Sequence, residues 1–154
     1  MKVLKIITLL FLLFNLTACS WQEYFIIIND SSSNIIIEYD LLELTDEFPI
    51  FETVPQLCKK GKNNPVNWDY RLDVKDLNDS LNHVKIVLPP STVLIFGRLS
   101  NDNYESFDQY FINSRVFNLN SIQITSENRS FEINKEEFDN FFTKDKGYIK
   151  FVVK

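Results

Sequence analysis

Residues 24–29, Tyr24-Phe25-Ile26-Ile27-Ile28-Asn29, and residues 35–39, Ile35-Ile36-Ile37-Glu38-Tyr39, are apolar runs separated by Asp30-Ser31-Ser32-Ser33-Asn34. β-Branched and aromatic side chains fit a pleated, half-buried surface, and the five intervening residues are all turn formers. The stretch therefore predicts two strands joined as a hairpin.

Further strands follow outward from this pair. Trp68, Tyr70, Leu72 and Val74 alternate with Asp69, Arg71, Asp73 and Lys75, the period of a strand with one face on a core and one on water. Residues 84–88 and 92–99 are apolar runs split by Pro89-Pro90, which cannot donate to a ladder and so mark a corner. Gly97 predicts a bulge or a close backbone approach. Residues 117–125, 129–133 and 148–153 complete the strand pattern.

Less regular segments lie between them. Residues 41–54, interrupted by Asp46, Glu47 and Pro49, suggest an irregular crossing or a short edge strand, and residues 56–66 a polar loop around Lys59-Lys60-Gly61-Lys62. Tyr104, Phe107, Tyr110 and Phe111 have helix-like spacing, so residues 100–113 form a short helix or an ordered loop. Asn134 with Glu137 resembles a capping box, with Ile133 and Phe138 at staple positions and Phe138, Phe141 and Phe142 as one apolar stripe. Asp145-Lys146-Gly147 should end that helix. With 14 Phe and six Tyr, the chain is predicted to be mainly β. The expected architecture is an antiparallel β-sandwich of transthyretin or immunoglobulin-like build, with one short C-terminal helix before the last strand.

The first 19 residues carry a different signal. Lys2 and Lys5 precede an apolar run from residue 6 to 14, and Leu16-Thr17-Ala18-Cys19 closes it with small residues and a cysteine. The run is too short to span a hydrocarbon core of ~30 Å. The tetrapeptide resembles the lipobox of bacterial lipoproteins. That resemblance implies removal of residues 1–18, acyl chains on Cys19, a tether over residues 19–23 and a single domain over residues 24–154. It also implies a membrane partner held through those chains, and, because Ser20 rather than Asp follows the cysteine, an outer-membrane location facing periplasm or cell surface. Ala18 and Ser20 would also suit an ordinary signal peptidase, which would leave the protein unanchored. Asp79-Ser80-Leu81 resembles the O-glycosylation site of exported Bacteroidetes proteins, which would make Ser80 a sugar acceptor.

Composition narrows the partners. Without Lys2 and Lys5 the 16 basic residues become 14 against 21 acidic ones, a formal charge of −7. That balance argues against nucleic acid, which needs clustered cations. Once Cys19 is acylated, Cys58 is a lone thiol, either buried and inert or paired with a partner.

The chemical groups are sparse. Ser-His-Asp or Cys-His catalysis would have to use His83, the sole histidine, and three glycines cannot build a phosphate cradle. No cofactor and no metal is expected. Asn101-Asp102-Asn103 with Glu105 and Asp108 could offer oxygens to Ca²⁺, but without the EF-hand register. Glu38, Asp40 and Glu43 could furnish paired carboxylates for glycan hydrolysis. The favoured expectation is a non-enzymatic, lipid-anchored binding or scaffold module for another envelope component, a layout shared with type VI secretion lipoproteins. A carboxylate-dependent hydrolase and a small-ligand or ion-binding sandwich are the alternatives.

Overall fold

A computed structural model describes residues 20–44, 47–73, 78–80, 82–127 and 129–154. The elements in chain order are β1 (Gln22–Asn29), β2 (Ile35–Leu41), β3 (Phe48–Pro49), β4 (Phe51–Lys60), β5 (Val66–Leu72), β6 (Asn78–Ser80) and β7 (His83–Leu88). They continue with β8 (Thr92–Ser100), β9 (Arg115–Val116), β10 (Leu119–Thr125) and β11 (Ser130–Asn134). A 3₁₀ turn (Lys135–Glu137), a one-turn helix α1 (Phe138–Phe141), β12 (Thr143–Asp145) and β13 (Tyr148–Val153) complete the chain. The protein is mainly β, with two facing sheets ordered β12-β13-β1-β8-β4-β5 and β11-β10-β2-β7-β6, and a two-stranded β3-β9 pair. Pairing is antiparallel except at β1–β13 and β3–β9, which are parallel.

β1 and β2 are strands as expected but not a hairpin. β1 pairs with β8 and β13 in one sheet, whereas β2 pairs with β10 and β7 in the other. Asn29, wholly buried, explains the crossing. Its side-chain N–H₂ donates to the carbonyl of Leu88 at the end of β7 and to that of Ser33, while its Oδ1 accepts from Ser31. A satisfied buried amide thus pins residues 30–34 as an arch between layers. The Pro89-Pro90 corner makes the second crossing, from β7 to β8, and Ser91 donates to the Asn29 carbonyl beside it.

Both arches lie at one end of the sandwich, the upper end. β1 begins, β8 ends and β2 ends at the opposite, lower end, where Gln22 pairs with Ser100.

Alternation along β2 places Ile35, Ile37, Tyr39 and Leu41 inside, facing Phe25, Ile27, Leu94 and Phe96 of the other sheet. β1 is buried on both faces. Its Ile26 and Ile28 form a second apolar layer on the outer side with Val93, Ile95, Val66 and the free thiol of Cys58. Tyr24 and Trp68, 4.9 Å apart at their ring centroids, lie over that layer.

Two other expectations change. Residues 56–60 belong to β4, and only 61–65 form the polar loop. Pro55 is tolerated because β4 loses register with β8 between Phe51 and Gln56, where no ladder bond is required. In β5 the alternation breaks, and Tyr70 is exposed, because the β4–β5 register shifts between Cys58 and Lys59. Val74 lies outside the described residues.

At the C-terminus Asn134 stands before the helical turn without a side-chain cap bond. α1 stops at Phe141, and Asp145-Lys146-Gly147 instead turns a β-hairpin between β12 and β13. Lys146 and Gly147 both have positive φ, as a two-residue primed turn requires. Phe138 and Phe142 stack at 4.0 Å and plug the lower end of the core.

Gly97 satisfies both halves of its expectation. β8 bulges opposite Phe25/Ile26, and a Cβ at Gly97 would meet Phe51 Cδ1 at 2.8 Å and the Ile50 carbonyl oxygen at 3.0 Å.

Candidate functional site

Outward-facing positions of β2 place Glu38 and Asp40 side by side on the solvent face of the second sheet, opposite Lys85 and His83 of β7. Lys85 Nζ lies 2.8 Å from Glu38 Oε1. The His83 ring sits between the two acids, Nδ1 at 2.8 Å from Asp40 Oδ1 and Nε2 at 3.8 Å from Glu38 Oε2. Ser121 Oγ donates to Asp40 Oδ2 at 3.3 Å, so the serine meets the acid and not the imidazole. That order lacks the hydroxyl–imidazole contact of a Ser-His-Asp triad. Glu43 lies beyond β2 in an exposed connection. His83 is the first residue of β7.

The side-chain oxygens from Asn101 to Asp108 are engaged by nearby backbone and side-chain donors. Asp102 accepts from the N–H groups of Asn103 and Ile112, both at 2.8 Å, and Asp108 accepts from Ser106 Oγ. The Gln109 side chain accepts from Ser106 N–H and donates to the Asn103 carbonyl, closing an ordered loop in place of a helix. Among the described residues, no group of three or more His, Cys, Asp or Glu side chains is placed to hold a metal ion.

Two proposed modification sites have different standing. Cys19 lies outside the described residues. Ser80 ends the edge strand β6, its backbone paired with His83. Cys58 is fully buried, and burial pushes its thiol pKa up, against a smaller lowering by Arg71.

The lower end is the most distinctive surface. Six of the eight exposed large apolar side chains among the described residues lie there: Trp21, Leu42, Phe48, Val54, Tyr110 and Ile112. Val54 is set higher, at the break in register inside β4, and joins the others through the groove it shares with Leu42. Trp21 precedes β1, and its carbonyl accepts from Asn101 N–H at 3.0 Å. Leu42 follows β2 and shares a groove with Leu44, Pro49 and Val54. Phe48 is in β3, which pairs with β9 at the return of the 101–114 segment. Tyr110, 92% exposed, projects from that segment beside a groove of about 500 Å³ that also holds Glu47, Asp108, Arg115 and Lys135.

Beneath these residues the lower end is held rigidly. Glu23 faces inward and is 3% exposed; Lys144 Nζ approaches its carboxylate at 2.6 Å, and Tyr104 N–H donates to it at 2.8 Å. The Tyr104 hydroxyl donates to Asp139 after α1 begins, and Phe107 N–H donates to the same carboxylate. Burial first, then the Asp139 hydrogen bond and nearby acid charge, raise the Tyr104 pKa far above its ordinary value. Asn118, also buried, accepts from the N–H groups of Ile50 and Phe51 and donates to the Phe51 carbonyl.

No protein-family model, curated protein or solved structure matches this chain.

The sequence pattern pointed to Trp21, beside the leader, but not to the lower-end apolar set as a whole. Its members come one or two at a time from separate segments and share no common period. The available signal was Trp21, Phe48 and Tyr110 standing in such segments without an evident core position.

Proposed function

We propose that the protein is an envelope lipoprotein, acylated on Cys19, whose sandwich acts as a non-enzymatic binding or scaffold module for another envelope component. The observation that carries it is Leu16-Thr17-Ala18-Cys19 followed, after only Ser20 and Trp21, by the first residue of β1. Two or three acyl chains give stable anchoring, since each buried CH₂ contributes ~0.8 kcal/mol. Among the described residues no helix is long and apolar enough to cross a membrane.

The carboxylates support a binding rather than a hydrolytic role. Glu38 and Asp40 are engaged by Lys85, His83 and Ser121 on an open sheet face, where water screens them. Glycan hydrolysis needs two acids facing each other across a bound sugar, whereas these two stand in one row along a strand. Cross-linking the full-length protein in intact envelopes tests the module: a defined second protein should be recovered, and recovery of the protein alone would count against the proposal.

A further inference from the structure

We infer that the lower end of the sandwich is a membrane-contact face, on which Trp21, Leu42, Phe48, Val54, Tyr110 and Ile112 enter the headgroup layer of an electrically neutral bilayer. This rests on acylation of Cys19. From Cys19 to Gln22 is three Cα steps, a reach of about 11 Å at full extension. Each headgroup layer is roughly 5–8 Å thick. With acyl chains in the hydrocarbon, β1 must begin at the edge of the headgroups, and it brings its own end of the sandwich with it.

The side chains at that end suit the place. Tryptophan and tyrosine are favoured at headgroup depth, where an apolar ring and a polar tip are both satisfied. Phe48 is 64% exposed and Val54 59%, costs that burial against lipid would offset.

Charge selects the kind of lipid. The groove beside Tyr110 offers two acids, Glu47 and Asp108, and two cations, Arg115 and Lys135. The Arg115 Nε is buried without a hydrogen-bond partner among the described residues. Charges of both signs along one groove match a zwitterionic headgroup, whose phosphate meets the cations and whose ammonium meets the acids. The acid excess of the protein as a whole disfavours anionic lipid. The upper end, with its arches and the Lys60–Lys62 turn, then points away from the membrane and is free to meet a partner.

The test uses the acylated protein in vesicles of phosphatidylethanolamine and phosphatidylcholine, with a fluorophore at Tyr110→Cys or, at the upper end, Asn63→Cys. Both positions are exposed, and Cys58 is buried and should stay unlabelled. On vesicles the Tyr110 probe should lose about threefold or more of its accessibility to an aqueous quencher relative to detergent solution, while the Asn63 probe keeps its own. Equal accessibility of the two probes on floated vesicles would overturn the contact face and leave the anchor standing. Failure to float with vesicles would overturn the anchor itself. Shielding of the Tyr110 probe in vesicle-free solution, growing with protein concentration, would assign the face to a second copy and refute lipid contact.

Discussion

Glu23 and Lys144 lie 2.6 Å apart across the lower end of the sandwich, and the acid is almost fully buried while the lysine is about one-third exposed. Lys144 also donates to Asn103 Oδ1 and to the Tyr104 carbonyl, so one ammonium ties β12 to β1 and to the 101–114 segment. In the sequence Glu23 looks like the lone acid of a tether. In the structure it is an inward-facing residue of β1 and is closed to outside partners.

Removing one member of that pair strands the other. Lys144→Met should destabilise the fold by about 2–3 kcal/mol, the lysine's partial exposure holding the loss below that of a fully buried pair. Urea denaturation checks this. Glu23→Gln combined with Lys144→Met should cost less than the sum of the single changes, and strict additivity would mean that the pair is not coupled.

Asn118 makes three hydrogen bonds to the backbone of Ile50 and Phe51 from a position 3% exposed. Asn118→Leu should cost about 2–4 kcal/mol because it leaves buried N–H and C=O groups without that side chain as a partner. Equilibrium unfolding would show the loss; a change below about 0.5 kcal/mol would mean that water takes over those bonds.

At Gly97 the obstacle is space and not φ. A methyl group there meets the Phe51 ring and the Ile50 carbonyl, so Gly97→Ala should destabilise by about 1–3 kcal/mol. Phe51→Leu should relieve part of that cost, which thermal unfolding of the double variant would reveal.

Alkaline pH should unfold the protein through two tyrosines. Burial, then the charge of Glu52, raises the pKa of Tyr39, and Tyr104 is raised as described. A folded-state pKa above the unfolded value of about 10 means that the stabilisation is complete below pH 10 and falls as pH rises toward the folded value. Each tyrosine contributes a slope of up to about 1.4 kcal/mol per pH unit. Tyr39→Phe and Tyr104→Phe should each flatten the fall in melting temperature above pH 10; an unchanged slope in both would refute the assignment.

These contacts also mark what was legible beforehand. Strand existence is local, set by β-branched runs and turn residues, and it is why residues 24–29, 35–39, 84–88 and 92–99 could be placed. Strand partners are not local: five turn residues permit an arch as readily as a hairpin, and the choice here depends on Asn29 reaching Leu88, 59 residues away. Register slips likewise have no sequence period, which is why Tyr70 faces water and residues 56–60 became strand. For the candidate surface, Cys19 could be singled out from its leader. Phe48, Val54 and Tyr110 could not, because only the folded chain brings these separate loops to one end.

Membrane attachment depends on the chemistry of one thiol, so the mass of the N-terminal peptide of the protein isolated from membranes is the most direct measurement. A peptide beginning at Cys19 and carrying diacylglycerol, with or without a further acyl chain on its amine, is the expected result. An unmodified peptide beginning at Trp21, after cleavage at Ser20, would contradict the account.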